Sequence, residues 1–97
     1  MDDRTIKSVA HIFAALANTQ RIQILLKLME DPRCHTDLAS CVPIDVSTIW
    51  RHVKKLESAG LVKTKREGRR VVVYPCEPGR TQKLLEIAAE IAKRSEL

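Results

Sequence analysis

Apolar residues recur every three or four positions through the first third of the chain, a period that is typical of amphipathic helices. The apolar stripe of residues 3–17 consists of Ile6, Val9, Phe13 and Leu16. Asn18 is suited to cap a second helix, in which apolar side chains cover most of the circumference. This second helix is therefore predicted to lie at the centre of the fold. Pro32 ends it, because proline cannot continue a helix.

Two further helices, joined by a tight turn, are predicted next. Residues 36–41 fit a short helix, and Asp45 is suited to cap a longer one over residues 46–59. One face of the longer helix carries the apolar residues Ile49, Val53 and Leu56. The opposite face carries Ser47, Arg51 and Lys54. A short helix, a tight turn and a second helix with a polar outer face form a helix-turn-helix.

The period then changes from that of helices to that of strands. Residues 61–65 and 70–74 read as strands, and the segment "REGR", centred on Gly68, joins them into a hairpin. A last helix is predicted over residues 81–93. Its apolar stripe is formed by Leu84, Leu85, Ile87, Ala88, Ile91 and Ala92. This stripe is too broad for one side of a small monomer, so a partner subunit is expected to cover part of it.

These elements predict a mainly α fold with a β-hairpin wing, in the order α-α-α-α-β-β-α. This is a winged helix-turn-helix, and residues 1–97 are expected to form a single domain. No apolar run approaches the length of a membrane span, and the charged start "MDDRTIKS" is unlike a secretory signal. The three cysteines, an odd number, fit a reducing cytoplasm better than a disulfide scaffold.

Charge is concentrated in one segment of the chain. The whole sequence carries a net charge of +5, yet residues 51–70 contain eight basic and two acidic residues. A localised basic block is typical of a surface that binds a polyanion, most often nucleic acid. A solvated charged face without a partner is the alternative. No glycine-rich phosphate loop or catalytic constellation is present in the sequence, so an enzyme is not expected.

Two segments resemble the ArsR/SmtB-type winged-helix repressors. In "FAALANTQRIQILLKL", Arg21 falls on an arginine of the family pattern. In "VSTIWRHVKKLESAGLVKTKREGRRVVVY", the arginine–histidine pair, the two lysines, the "AGLV" exit and the Gly-Arg of the wing match in order. The resemblance covers roughly residues 9–92 and implies a homodimeric repressor that binds double-stranded DNA. Its first and last helices would form the dimer interface, and its recognition helices would enter successive major grooves of a pseudo-palindromic operator.

The candidate DNA-contacting residues lie on the outer face of the predicted recognition helix and on the wing. They are Ser47, Thr48, Trp50, Arg51, Lys54, Lys55, Arg66, Arg69 and Arg70. The two hydroxyl residues of the first turn are suited to phosphates or bases, and Arg51 is suited to place a two-donor fork on guanine. The lysines are expected at the DNA backbone, and the wing arginines at phosphates or in a minor groove.

Two aromatic residues of the predicted recognition helix need separate interpretation. Trp50 lies about 100° from the apolar stripe. Two roles are open: packing against the rim of the helix-turn-helix, or stacking on sugar and thymine-methyl surface. His52 lies at the edge of the apolar face, so it is expected to be a packed structural side chain.

Metal sensing is common among the proteins that this chain resembles, and their two usual sites can be compared with this sequence. One uses aspartate and histidines of the last helix, but "YPCEPGRTQKLLEIAAEIAK" contains neither residue type. The other uses a Cys-x-Cys-Asp-Leu pattern, of which "CHTDL" keeps Cys34 while Thr36 replaces the second thiol. A further thiol of that pattern is replaced by Ala39. No metal site and no cofactor are therefore predicted.

The segment "CHTDLASC" still raises the question of what its thiols do. If residues 34–41 are all helical, Cys34 and Cys41 lie about 10.5 Å apart along the axis, too far for a shared zinc ion or a disulfide. Cys41 is expected to pack in the core, whereas the side chain of Cys34 is expected to be freer. Two alternative functions stay open. One is a metal- or redox-responsive repressor that uses Cys34 with His35 or Cys76, and the other is a winged-helix module that binds protein.

Overall fold

The computed structural model describes residues 1–95 of the 97-residue chain. Its elements in chain order are α1 (Asp3–Leu16), α2 (Thr19–Glu30), β1 (Arg33–Cys34), α3 (His35–Cys41), α4 (Val46–Ser58), β2 (Val62–Glu67), β3 (Arg70–Pro75) and α5 (Pro78–Ser95). The predicted winged helix-turn-helix is confirmed, with α3 and α4 as its two central helices and β2 and β3 as the wing. Within the described residues, no helix is both long and apolar enough to cross a membrane.

Side-chain caps fix where three of the helices begin. The caps are Asp2 for α1, Asn18 for α2 and Asp45 for α4. Each side chain accepts a hydrogen bond from a backbone N–H in the first turn of its helix, where no intrahelical partner exists. The fifth helix begins at Pro78, three residues before the predicted start. Proline suits a first helical position, because its fixed φ is helical and its missing N–H would have no partner there.

The hydrophobic core lies between α2, α3, α4 and the wing strands. Its largest fully buried side chains are Ile24, Leu25, Leu28, Leu38, Ile49, Val53, Leu56, Val62 and Val73. Three of them belong to α2, which agrees with the predicted central position of that helix. The apolar face of α4 supplies another three, so the opposite face of this helix is turned to solvent.

The three strands form an antiparallel sheet in the order β1-β3-β2. Glu67 pairs with Arg70 across a two-residue loop, and Gly68 in that loop has a φ of 66°. A positive φ at the first loop position alone fits a type II′ turn, whose twist matches that of the two strands. The strand β1 was not predicted. Its residue Cys34 pairs with Val72 of β3, so the start of α3 lies directly beside the wing.

One side of the molecule leaves apolar side chains uncovered. On α1, Ile6 and Phe13 are each 51% exposed, although both belong to the predicted apolar stripe. On α5, Ile91 is 65% exposed and Ile87 is exposed as well. Leu84 on the same helix packs against the core. The first and last helices therefore each present apolar surface that the chain itself does not bury.

Candidate nucleic-acid interface

The helix α4 separates an apolar inner face from a polar outer face. Its inner residues pack against α2 and α3, while the predicted DNA-contacting residues of the helix remain on the solvent side or at its edge. Four of these are exposed: Ser47, Arg51, Lys54 and Lys55. Thr48 and Trp50 are half-buried. The period of the helix thus brings the predicted set onto one continuous surface.

Asp45 organises the first turn of α4. One carboxylate oxygen accepts the Thr48 N–H at 3.2 Å, and the other accepts the Ser47 hydroxyl at 3.0 Å. The guanidinium of Arg51 donates to the Thr48 hydroxyl at 3.4 Å. Hydrogen bonds from Thr48 and Ser47, together with the charge of Arg51, hold the pKa of Asp45 below its usual value. The carboxylate stays ionised, so this cap keeps the two hydroxyls and the guanidinium in one cluster.

Trp50 on α4 packs against the start of α3. It packs against the hydrophobic core, and its ring centroid lies 5.4 Å from that of His35 at an interplanar angle of 57°. The ammonium of Lys54 lies 5.0 Å from the centre of the Trp50 ring, within the range of a cation–π contact. Of the two roles left open for Trp50, the structure shows packing against the rim of the helix-turn-helix, and the residue stays partly exposed.

His52 connects α4 to α2 in the interior. Its Nε2 lies 2.8 Å from Gln20 Oε1, and its Nδ1 lies 3.3 Å from a guanidinium nitrogen of Arg21. Arginine only donates, so Nδ1 accepts and the proton sits on Nε2, which donates to Gln20. Burial, with the nearby charges of Arg21 and Arg51, lowers the pKa of His52. His52 is thus a neutral, packed side chain, as predicted.

The three arginines of the wing divide into two kinds. Arg66 and Arg69 are exposed, and neither side chain takes part in a hydrogen bond or ion pair within residues 1–95. Arg70 instead reaches α3, where its guanidinium lies 2.6 Å from a carboxylate oxygen of Asp37 and 2.9 Å from the sulfur of Cys34. The wing tip therefore carries two unpaired cations, while the third cation ties the wing to the helix-turn-helix.

A second contact braces the tip of the wing. The Tyr74 hydroxyl on β3 donates a hydrogen bond to a carboxylate oxygen of Glu67 on β2. This hydrogen bond, together with burial, raises the pKa of Tyr74. Because the bond joins the two strands of the hairpin, it restrains the loop that carries Arg69.

The two cysteines of "CHTDLASC" are placed opposite to expectation. Cys34 was predicted to be freer, but it is only 2% exposed. Cys41 was predicted to pack in the core, but it is exposed, and its sulfur accepts a hydrogen bond from Arg33 at 2.8 Å. The prediction for Cys34 was wrong because Cys34 belongs to β1, and the prediction for Cys41 was wrong because the buried face of α3 contains Leu38 but not Cys41. Cys34 is the second residue of β1, where successive side chains point to opposite faces, and this face is the inner one.

The surroundings of Cys34 shift its acidity without building a metal site. Burial raises the pKa of this thiol, but hydrogen bonds with Thr36 and Arg70 outweigh burial, so the pKa lies below its usual value. Val72 is the partner of Cys34 in the sheet, and Cys76 lies four residues beyond it, one residue past the end of β3. Four extended residues span about 13 Å. Zinc–sulfur bonds of about 2.3 Å cannot span that distance within one protomer. Among residues 1–95, no three His, Cys, Asp or Glu side chains are grouped so that they could hold a metal ion.

Sequence reasoning missed two residues that shape this surface. Asp37 is the ion-pair partner of Arg70, and His35 is the aromatic neighbour of Trp50. In the sequence, Asp37 and Arg70 are 33 positions apart, and His35 and Trp50 are 15 positions apart. Neither pair shares a local period. Only the pairing of β1 with β3, had it been recognised, would have indicated that the start of α3 lies beside the wing.

A helix-turn-helix followed by a basic hairpin defines a winged helix-turn-helix protein, a class of DNA-binding regulators. The family described as "Bacterial regulatory protein, arsR family" matches residues 18–64. An ArsR-like transcriptional regulator from Rhodococcus sp. RHA1 is 30% identical, with 95% of this chain and 90% of that chain covered and a TM-score of 0.71. The chain belongs to the ArsR family of bacterial regulatory proteins.

Two further comparisons agree with this assignment. The homodimeric winged helix-turn-helix DNA-binding domain of Mb0332 from Mycobacterium bovis, a possible ArsR-family regulator, is 29% identical, with a TM-score of 0.82, 93% of this chain and 88% of that chain covered. The HTH-type transcriptional regulator NmtR of Mycobacterium tuberculosis is 33% identical over 72 residues, which are 74% of this chain and 60% of NmtR. The chain thus spans less than two thirds of the length of this curated relative.

The family and the fold are those of transcriptional regulators, which are not enzymes, in agreement with the sequence analysis. They also favour the DNA-binding interpretation over a winged-helix module that binds protein.

Proposed function

We propose that this chain is a transcriptional repressor that binds a pseudo-palindromic operator as a homodimer. One observation carries the proposal: the polar outer face of α4 and the unpaired arginines of the wing tip form a basic surface on a winged helix-turn-helix scaffold. A surface of this kind fits a DNA duplex, in which the major groove admits a helix and the flanking phosphates attract cations.

In this proposal, some residues of α4 contact DNA bases and others contact DNA phosphates. Arg51 reads a guanine through two donors, while Ser47 and Thr48 approach bases or phosphates at the start of the helix. Lys54 and Lys55 neutralise phosphates at the edge of the groove. The packing of α4 against α2 supports this division, because it leaves these side chains on the exposed side of the helix.

In this proposal, the three wing arginines contribute unequally to DNA binding. Arg66 and Arg69 at the tip reach phosphates or an adjacent minor groove, where a narrow A·T-rich groove attracts arginine most strongly. Arg70 belongs to the same set. However, Asp37 already neutralises part of its charge, so we expect it to contribute least of the three.

Dimerisation through α1 and α5 completes the proposal. The exposed apolar residues Phe13 and Ile91 lie on these two helices, and the related Mb0332 domain is described as homodimeric. In the proposed dimer a two-fold axis relates the two α4 helices, and entry into successive major grooves requires them to lie one turn of DNA apart, about 34 Å. The target is genomic DNA, so we also propose a cytoplasmic location.

Selection of bound duplexes from a randomised DNA library tests this function. The purified chain should enrich an inverted repeat whose half-sites are centred about 10 bp apart. Enrichment of no sequence at all, after several rounds at moderate salt, would contradict the proposal. The enriched duplex, called the selected duplex below, is the substrate for the measurements that follow.

A further inference from the structure

An apolar cleft opens to solvent where α3, α4 and β3 meet. Its volume is about 480 Å³, and its walls are formed by His35, Val46, Ser47, Trp50 and Val71. We call it the Trp50 cleft. It lies beside the proposed base-reading residues, because Ser47 and Trp50 belong both to its wall and to the first turns of α4. An apolar opening in the middle of a basic surface needs an explanation that phosphate binding does not give.

The walls of the Trp50 cleft are held in place before any ligand arrives. The Trp50 ring packs against the core and against His35, and the ammonium of Lys54 lies over it. On the other side, Val71 sits in β3, where Arg66 is its partner on β2. Val46 is 41% exposed in the first turn of α4. Because the aromatic wall is already ordered, an occupant binds without the cost of ordering it.

The chemistry of DNA limits what can occupy such a cleft. In the major groove, base edges present hydrogen-bond donors and acceptors and a single apolar group, the C5-methyl of thymine. A phosphate or an amino group would lose hydration against these apolar walls and gain little in return. On a helix, residues three and four apart are neighbours, so Trp50 shares its side of α4 with Ser47 and Lys54. When α4 lies in the major groove and contacts a base there, the methyl group of that base or of the adjacent base can therefore enter the cleft.

We propose that the Trp50 cleft receives the methyl group of a thymine in each half-site, which makes Trp50 a residue that determines sequence specificity. This inference rests on the proposed function, since it requires α4 to enter the major groove. It adds a base identity that the polar residues of α4 do not supply. The contact is made by apolar surface, so it discriminates thymine from every base without a methyl group at that position.

Replacement of thymine by uracil in the selected duplex tests the inference, because it removes only the methyl group. Each symmetric pair of thymines is replaced in turn, and the dissociation constant is measured. For one pair, binding should weaken about fourfold per half-site, the effect expected for one buried methyl group. With Trp50→Ala, the same replacement should have a much smaller effect, which would show that the base and the side chain are coupled.

The wild-type measurement keeps the inference testable even where Trp50→Ala does not fold. A second variant, Val46→Thr, replaces an exposed methyl of the cleft wall by a hydroxyl of similar size and should reduce the discrimination between thymine and uracil. If the library yields no selected duplex, the proposed function fails, and this inference fails with it. If the selected duplex tolerates uracil at every thymine, or if Trp50→Ala keeps the full wild-type discrimination, only the inference about the cleft is overturned.

Discussion

Arg51 is the residue of α4 best suited to read a base. It is exposed on the outer face, and its guanidinium donates a hydrogen bond to the Thr48 hydroxyl at 3.4 Å, which orients the side chain. Arg51→Ala should weaken binding to the selected duplex by about 1–3 kcal/mol and relax the base preference at one position of each half-site. Fluorescence anisotropy on the selected duplex and on its single-base variants measures both effects.

The matched control for Arg51→Ala removes an equal charge elsewhere. Arg80 lies on α5, its side chain is 88% exposed, and its ion pair with Glu77 is at the surface. Arg80→Ala should therefore leave base preference unchanged and alter affinity only slightly. Equal losses in the two variants would mean that Arg51 acts through net charge alone, against the reading of a base.

The ion pair between Arg70 and Asp37 restrains a cation that the DNA could otherwise attract. Both side chains are largely exposed, at 62% and 55%, so the pair contributes little to stability. Asp37→Asn should leave the melting temperature nearly unchanged and release Arg70 toward phosphate. The slope of log affinity against log salt should then steepen by roughly 0.9 per protomer.

The exposed Asp31 offers a control for Asp37→Asn, because Asp31→Asn removes the same charge without touching the wing. An unchanged salt slope in Asp37→Asn, or an equal change in both variants, would argue against a restrained Arg70.

At the scale of elements, the hydrogen bonds that join α2 to α4 depend on the protonation state of His52. His52 is neutral in the fold and its pKa is lowered below the ordinary value of 6.5, first by burial and then by Arg21 and Arg51. Below pH 6.5 the unfolded chain binds a proton that the folded chain does not. The contribution of His52 to the free energy of unfolding is therefore at its full value above pH 6.5 and falls as the pH drops toward the folded-state pKa of His52.

Urea unfolding between pH 8 and pH 5 measures this dependence, and His52→Gln should flatten it. The lowered pKa values of Asp2 and Asp45 act in a separate window, because they remove stability only below the usual value of 3.8. A wild-type protein that is most stable at pH 5, or a His52→Gln variant with the same pH dependence, would refute the role given to His52.

The predicted helices differ from the unpredicted strand β1 in length and in how close together their sequence signals lie. The helices show a period over several turns and carry local caps such as Asn18 and Asp45, so their signals lie within a few neighbouring residues. The strand β1 has two residues, too few to show a period, and its partner β3 begins 36 residues after its last residue, Cys34. The burial of Cys34 was not predicted for this reason.

At the scale of the whole molecule, the exposed apolar faces of α1 and α5 form the dimer interface that we propose. Ile91→Glu should place a charge in the proposed dimer interface without disturbing the protomer, where this side chain is already 65% exposed. Sedimentation equilibrium should then show a monomer at concentrations where the wild type is a dimer, and binding to the selected duplex should weaken.

The conservative variant Ile91→Leu keeps the apolar surface and should remain a dimer. Circular dichroism of Ile91→Glu should match the wild type, which separates loss of the dimer from loss of the fold. A dimeric Ile91→Glu protein with wild-type affinity for DNA would place the interface elsewhere.

Much of the candidate surface follows from the sequence, because it depends on the period of one helix and on the order of charges in one hairpin. The difference between the unpaired and the paired arginines of the wing does not follow from the sequence. Arg66, Arg69 and Arg70 look alike in the sequence, and only tertiary contact with α3 pairs one of them with Asp37. The Trp50 cleft has the same origin, since its wall includes Val71 of β3, which is distant along the chain from α3 and α4.

The most direct test of the account is the affinity of the purified chain for the selected duplex against a scrambled duplex of equal composition, followed over a series of salt concentrations. If the proposed function is correct, two protomers bind each selected duplex, at least about a thousandfold more tightly than the scrambled duplex, and binding weakens steeply as salt rises. Equal affinity for the two duplexes, or an affinity that does not respond to salt, would contradict it.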